Sequence, residues 1–257
     1  MQKQIPNIFT LLNLFFGCIA IVFIMQNGMT IAVDSEGQQV VMIPSKMYWA
    51  SIMIAIAAVI DFLDGFVARL LKATSILGAQ LDSLADVVSF GVAPGMIVFE
   101  FLRYSYAQLE NGLDINIIWL LPAFIIPCAG AYRLARFNVD ANQSHGFKGV
   151  PIPAIGLLVA SFPLINWSTN SQLVIDLMHN KWVWYVVIFA LSYLMVSTLP
   201  MLALKFSGVS FKKLMPFIII TIIAIVIAFI FGWLAVPVSF IAYVIISLIY
   251  NKTEKDV

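Results

Sequence analysis

Apolar residues run along this chain in eight long stretches, separated by short polar ones. A helix that crosses a bilayer needs about 20 mostly apolar residues. That rule predicts spans at roughly 7–26, 47–71, 83–108, 116–138, 150–167, 182–200, 214–232 and 234–250. Two polar segments read as external loops: 27–46, with Gly28, Asp34, Glu36 and Gly37, and 168–181, rich in Ser, Thr and Asn. Pro94, Pro122, Pro127 and Pro200 lie in or at the ends of apolar runs and predict kinks or stops. Gly232-Trp233-Leu234 between the last two runs reads either as a tight hairpin or as a bend within one segment. Only Lys3 precedes the first run, and no small-x-small cleavage site follows it. That run is therefore read as a structural helix.

Composition sharpens the class. Of the 257 residues, 62% are hydrophobic and 11% charged, against about a quarter charged in a soluble domain. The fold class is all-α: a polytopic transmembrane helix bundle of about eight spans. Lys+Arg number 14 and Asp+Glu 13, a net charge of +1, which excludes a basic nucleic-acid binder. Cys18 and Cys128 sit inside apolar runs and form neither a disulfide framework nor a thiolate metal set. With the N-terminus cytoplasmic, the cytoplasmic side carries Lys3, Arg69, Lys72, Arg133, Arg136, Lys148, Lys205, Lys212, Lys213, Lys252 and Lys255. The other side carries only Lys46, Arg103 and Lys181. This positive-inside bias predicts an even number of spans with both termini cytoplasmic.

Charge within a bilayer is costly and calls for a reason. Four of the 13 acids, Asp61, Asp64, Asp82 and Asp86, fall in one window of 26 residues. Asp61 and Asp64 are i and i+3 and share a helix face. Asp82 and Asp86 are i and i+4 and share a face of the next helix. A turn near Ala73 to Ile76 joins the two, so an antiparallel pair can aim all four carboxylates at one point. Arg69 marks the cytoplasmic end of the second span, and Asp61 lies about 12 Å deeper, at about 1.5 Å per residue. Four uncompensated carboxylates at that level would repel one another. Hard divalent cations relieve this, and an oxygen-only ligand set suits Mg²⁺ or Mn²⁺ rather than zinc or copper. Four carboxylates suffice for two metals.

Small residues accompany the acids. Gly65 follows Asp64, Ala68 lies one turn on, and Gly78 precedes Asp82 by one turn. Glycine weakens a helix interior, so it serves either close helix packing or close approach of a ligand. The planar fork of Arg69 matches a phosphate. Together these residues suggest a phosphate-bearing substrate at the membrane surface. A cation transporter with an acidic intramembrane site is the reading from another class, but it predicts acids spread along a path rather than gathered at one depth.

Asp61-Phe62-Leu63-Asp64-Gly65-Phe66-Val67-Ala68-Arg69, then eight residues, then Gly78-Ala79-Gln80-Leu81-Asp82-Ser83-Leu84-Ala85-Asp86 resembles the signature of the CDP-alcohol phosphatidyltransferases, with every fixed position filled. The signature covers about a tenth of the chain. The surrounding spans also resemble that family's six-helix core, with two further C-terminal helices. The division expected is a core at 1–200 and a C-terminal hairpin and tail at 201–257. Within the family the chain is most similar to the phosphatidylserine synthases, bacterial ones included. The similarity extends through Ile5-Pro6-Asn7-Ile8-Phe9-Thr10-Leu11-Leu12-Asn13, Val87 to Pro94, Arg133-Leu134-Ala135-Arg136-Phe137-Asn138, and Phe147 to Ala154.

The resemblance implies transfer of the phosphatidyl group from CDP-diacylglycerol to L-serine, giving phosphatidylserine and CMP. It implies that Asp61, Asp64 and Asp82 hold metal, two ions in all, with Asp86 at the second ion and also acting as the base for the serine hydroxyl. It implies that Gly65, Ala68, Arg69 and Gly78 hold the CDP group, with Asn7 and Thr74 as further candidates. A carboxylate flanked by cations is a weak base, so its advantage rests on position and on metal activation of the reactants. Single displacement without a covalent intermediate is expected. Arg133 and Arg136 are candidates for the serine carboxylate, with anchoring of the span end as their alternative role, and Lys148 for the pocket wall. Glycerol 3-phosphate or an inositol phosphate is the alternative acceptor, since these cations also suit a phosphorylated alcohol. The expected setting is a bacterial cytoplasmic membrane, with the site facing the cytoplasm, and a homodimer is the family expectation.

Overall fold

The computed structural model describes residues 4–26, 28, 30–33, 39–42, 46–71, 73, 75–109, 114–139, 147–202 and 211–255. Among these, ten α-helices carry the fold: α1 (Ile5–Met25), α2 (Met47–Leu70), α3 (Ile76–Asp86), α4 (Ala93–Ala107), α5 (Ile125–Val139), α6 (Ile152–Ser168), α7 (Gln172–His179), α8 (Lys181–Val196), α9 (Phe211–Phe231) and α10 (Ala235–Lys255). Each of the eight predicted apolar stretches is helical. Five segments are long and apolar enough to cross a membrane: Ile5–Met25, Met47–Leu70, Ile76–Ala107, Ile117–Val139 and Ile218–Tyr250. The pair α7 and α8, bent by 74°, makes a sixth. The number falls below the eight predicted stretches because α6 has only 17 residues and because α9 and α10 run on as one apolar segment, which turns back on itself at Gly232 and so supplies two legs.

Two polar segments differ from the loop reading. Residues 27–46 include the antiparallel strands β1 (Thr30–Val33) and β2 (Gln39–Met42), with Thr30 opposite Met42 and Val33 opposite Gln39. Residues 168–181 contain α7. Asn180 ends it and caps α8, its side-chain oxygen accepting from the Trp182 amide at 2.9 Å. Pro200 lies just beyond the end of α8, and it pairs in a short antiparallel contact between β3 (Phe147–Lys148) and β4 (Pro200–Met201).

The third segment, Ile76–Ala107, is the most buried and forms the centre of the bundle. Its helix starts well before residue 83, the predicted start, because the Ser75 hydroxyl caps α3 by accepting from the Gly78 amide at 3.0 Å. Between α3 and α4 the chain widens into a π-helical stretch, Val87–Val92. Such widenings occur often at functional sites, and this one starts directly after Asp86. Neighbouring helices approach it through residues with little side chain. A Cβ on Gly17 of α1 would collide with Ser89, and one on Gly156 of α6 would lie 2.8 Å from the Phe90 Cβ. One on Gly95 would lie 3.0 Å from the Pro127 Cδ. Close approach through small residues is how apolar helices gain contact in a bilayer, where the hydrophobic effect drives association weakly. Farther along, the Phe101 ring stacks on Trp184 at 4.5 Å.

The last two helices form a hairpin. Leu202, shortly before α9, meets Ser247 and Tyr243 of α10: its amide donates to the Ser247 hydroxyl at 3.3 Å, and its carbonyl accepts from the Tyr243 hydroxyl at 3.1 Å. The chain therefore travels away along α9, turns at Gly232, whose φ is +58°, and returns along α10.

Candidate active site

Helices α1, α2 and α3 bring the acidic residues together. Carboxylate oxygens of Asp61, Asp64 and Asp82 all lie within 4.8 Å of one another. Asp86 is buried one turn further along α3, within electrostatic reach of Asp61. The i, i+3 pair on α2 and the i, i+4 pair on α3 thus converge as their spacing predicts.

Helix α1 supplies a polar stripe against them. Asn7, Thr10 and Asn13 recur every three residues and are all buried. The Thr10 hydroxyl donates to Asp64 Oδ2 at 2.8 Å, and Asn13 Nδ2 donates to Asp61 Oδ1 at 3.3 Å. Ser89 of the π-helical stretch donates to the Asn13 carbonyl at 3.0 Å, which ties α1 to the segment that carries Asp82 and Asp86. Asn138 of α5 donates to the Ser83 hydroxyl at 2.8 Å and secures α3 from the other side. Sequence reasoning passes over Thr10 and Asn13 as site residues, although a signal is there: three small polar residues at helical spacing inside an otherwise apolar run.

The donor set fits a cation. Among the described residues none of the four carboxylates is ion-paired with Lys or Arg. Asp86 Oδ1 and Asn13 Oδ1 are buried with no hydrogen-bond partner. A buried carboxylate oxygen without a partner is costly unless a positive charge is supplied. Oxygen donors alone, four of them carboxylates, suit hard divalent ions.

A cavity of about 180 Å³ opens beside the cluster. Four of the predicted CDP-binding residues line it: Asn7, Gly65, Ala68 and Gly78. Thr10, Ser75 and Ala79 line it too, so the first turn of α3 borders the cavity, and the N-terminus of a helix suits an anion. The two glycines differ. Gly78 is tight: a Cβ there would lie 3.1 Å from both Asn7 Oδ1 and Ser75 Oγ. Gly65 has nothing within 4 Å of the place a Cβ would occupy. Packing does not account for Gly65, which lines the cavity. Arg69 is exposed at the end of α2 and is not among the cavity's lining residues, and Thr74 lies outside the described residues.

The three basic candidates on the acceptor side separate by environment. Arg133 is 5% exposed, lies within electrostatic reach of Asp86, and stacks its guanidinium over the Phe137 ring at 5.9 Å. Its Nε is buried without a partner. Arg136 is half-buried and occupied: it donates to the carbonyls of Val196 at 2.7 Å, Ser197 at 3.1 Å and Lys148 at 3.5 Å. It therefore caps the C-terminal end of α8 and anchors β3. Lys148 is exposed within β3.

The sequence profile of the CDP-alcohol phosphatidyltransferases matches residues 3–179. This chain belongs to that family. The match takes in α1 to α7 and so every residue of the acidic cluster and its cavity. Among similar proteins is a CDP-diacylglycerol–serine O-phosphatidyltransferase of Helicobacter pylori, 34% identical over 163 residues, covering 63% of this chain and 57% of that one. Another of the same name, from Methanocaldococcus jannaschii, is 42% identical over 125 residues, covering 48% of this chain and 55% of that one. An archaetidylserine synthase of Methanothermobacter thermautotrophicus is 35% identical over 120 residues, covering 46% and 47%. The chain thus spans about half the length of the curated relatives it matches.

Proposed function

We propose that this membrane enzyme transfers the phosphatidyl group of CDP-diacylglycerol to L-serine, with release of CMP. The observation that carries the reading is the convergence of four carboxylates beside a cavity with an open glycine, in a chain whose similar proteins are named for that reaction.

Asp61, Asp64 and Asp82 would hold divalent metal, Mg²⁺ or Mn²⁺, with Asp86 completing a second site. When bound, such ions would supply positive charge beside the diphosphate and offset the charge that develops on CMP. The serine hydroxyl oxygen attacks the phosphorus that carries the diacylglycerol ester. The bond from that phosphorus to the oxygen shared with CMP breaks, and CMP leaves with this oxygen. The hydroxyl proton passes to Asp86, which is buried and has one oxygen free of any partner. Asn7, Gly65, Ala68 and Gly78 receive the cytidine diphosphate, with Arg69 and Thr74 as further contacts at its cytoplasmic edge. Arg133 attracts the serine carboxylate, its planar fork matching that group. Arg136 holds the α8 end and Lys148 the pocket wall.

The positive-inside bias supports a site that faces the cytoplasm with both termini on that side, and the similarity to a bacterial protein supports a bacterial cytoplasmic membrane as the location. Residues 1–200 would form the catalytic core, 201–257 the hairpin and tail, and two chains a homodimer.

The test is CMP release from purified protein with CDP-diacylglycerol and Mg²⁺ or Mn²⁺, with and without L-serine, beside Asp86→Asn. Serine-dependent release that falls by about 10²-fold or more in the variant is expected for loss of a general base. Release with glycerol 3-phosphate or an inositol phosphate instead would overturn the acceptor and keep the reaction class. A phosphatidyl-enzyme trapped in the absence of serine would overturn single displacement.

A further inference from the structure

We propose that the side-chain amide oxygen of Asn13 on α1 is a neutral ligand for the divalent ion held by Asp61, reached by a half-turn of the amide that the ion itself favours. The inference rests on the reading of the acidic cluster as a metal site, and it extends the ligands to a helix that carries none of the four carboxylates.

Asn13 is fully buried within α1. Its Nδ2 donates to Asp61 Oδ1 at 3.3 Å, longer than the usual N–H to oxygen separation of about 2.9–3.0 Å. Its Oδ1 has no hydrogen-bond partner among the described residues. A buried amide oxygen left in this way costs free energy. The backbone at Asn13 is held firmly: its carbonyl accepts from the Ser89 hydroxyl at 3.0 Å, and the missing side chain at Gly17, one turn on, lets Ser89 come that close. The residue is therefore fixed at its backbone while its amide is held by one long bond.

A carboxamide carries its oxygen and nitrogen at nearly equivalent positions, so a half-turn about the Cβ–Cγ bond puts Oδ1 about where Nδ2 now lies. The turn exchanges one unpartnered buried atom for another, and the contact with Asp61 decides between the two states. Without an ion, an amide oxygen against a carboxylate oxygen repels, and the donating state is preferred. With an ion on Asp61, the amide oxygen gains a cation, which the N–H would oppose. Two oxygens at right angles around an ion with bonds of about 2.1–2.4 Å are about 3.0–3.4 Å apart. The observed 3.3 Å between the Asn13 amide and Asp61 Oδ1 falls in that range. Asn carbonyls are accepted ligands of hard divalent ions. Charge points the same way: four carboxylates already balance two divalent ions, so a further ligand is best uncharged.

The experiment uses the full chain and reads Mn²⁺ binding directly by electron paramagnetic resonance for wild type, Asn13→Leu and Asn13→Asp. Asn13→Leu keeps the size of the side chain and removes both polar atoms, and the Mn²⁺ dissociation constant is expected to rise about tenfold or more. Asn13→Asp removes the N–H and keeps an oxygen at the same place. It should bind Mn²⁺ at least as tightly as wild type. Its melting temperature should be lower in chelator and rise further on adding Mn²⁺, because a fifth carboxylate repels the other four until the ion arrives. A side chain that served only to donate to Asp61 gives the opposite: Asn13→Asp then loses as much affinity as Asn13→Leu, or more. That loss, or wild-type affinity in folded Asn13→Leu, would overturn the assignment of Asn13 alone. If Asn13→Asp unfolds when the ion is removed, its melting temperature against Mn²⁺ concentration makes the same comparison. A wild type that binds no Mn²⁺ would overturn the metal reading of the cluster and this inference with it, whether or not CMP is released.

Discussion

The Thr10 hydroxyl on α1 donates to Asp64 Oδ2 on α2 at 2.8 Å, across 54 positions of sequence. This bond fixes the carboxylate that faces both the acidic cluster and the cavity, and it leaves Asp64 as an acceptor with its remaining lone pairs free for a cation. Residues that orient metal ligands in this way commonly contribute about 10- to 100-fold in metal affinity. Thr10→Val, which keeps the shape and removes the donor, should raise the Mn²⁺ concentration needed for half-maximal CMP release by about tenfold or more. Thr10→Ser should behave as wild type. A Mn²⁺ titration of activity, with direct ion binding measured by electron paramagnetic resonance, checks both.

The acidic cluster was legible because helical spacing alone places Asp61 with Asp64 and Asp82 with Asp86, and because a short turn between two helices leaves few ways to arrange them. The polar stripe of Asn7, Thr10 and Asn13 was legible only in part, since which helix it faces depends on packing between segments far apart in sequence. The hairpin of α9 and α10 stayed open for the same reason. Gly232 permits a reversal, but the decision lies in Leu202 meeting Tyr243 and Ser247. Arg133 and Arg136 looked equivalent, three residues apart on one helix; only the positions of the α8 carbonyls separate a buried guanidinium from a capping one.

Gly65 offers a contrast between stability and function. It sits within α2, where glycine costs roughly 0.5–1 kcal/mol relative to alanine. Nothing lies within 4 Å of the place its Cβ would take. Gly65→Ala should therefore raise thermal stability while a methyl group intrudes on the cavity. The expected result is a higher melting temperature together with a raised KM for CDP-diacylglycerol, and Gly65→Leu should strengthen the second effect. Thermal unfolding and substrate titration on the same preparations check the pair.

Gly17 makes the opposite prediction. A Cβ there would collide with the Ser89 side chain and backbone, in the π-helical stretch directly after Asp86. Overpacking of this kind costs roughly 1–3 kcal/mol. Gly17→Ala should lower the melting temperature and, by displacing the stretch that follows Asp86, also lower kcat. The double variant Gly17→Ala with Ser89→Gly should recover only part of the stability, because the Ser89 Cα still lies 2.9 Å from the new Cβ and the Ser89 bond to the Asn13 carbonyl is lost. Melting curves of wild type and both variants decide it.

Arg136 should act on stability and leave serine recognition largely alone. Its guanidinium bonds the Val196 and Ser197 carbonyls at 2.7 and 3.1 Å, groups that the end of α8 otherwise leaves unsatisfied. Hydrogen bonds to a charged group contribute roughly 1.5–3 kcal/mol where they are partly shielded, and less where water competes. Arg136 is partly open to solvent, so the lower end applies. Arg136→Ala should reduce the melting temperature by a few degrees while KM for serine changes less than about threefold, and Arg136→Lys should recover part of the stability by keeping one charged donor. Arg133→Lys, three residues earlier, should do the reverse if it takes the serine carboxylate as proposed: raise KM for serine about tenfold or more at nearly unchanged stability, because a lysine cannot reproduce the planar fork. Measuring both quantities on both variants separates the residue that caps a helix from the one that binds the acceptor. Equal effects on KM would mean that the two arginines act as one carboxylate clamp.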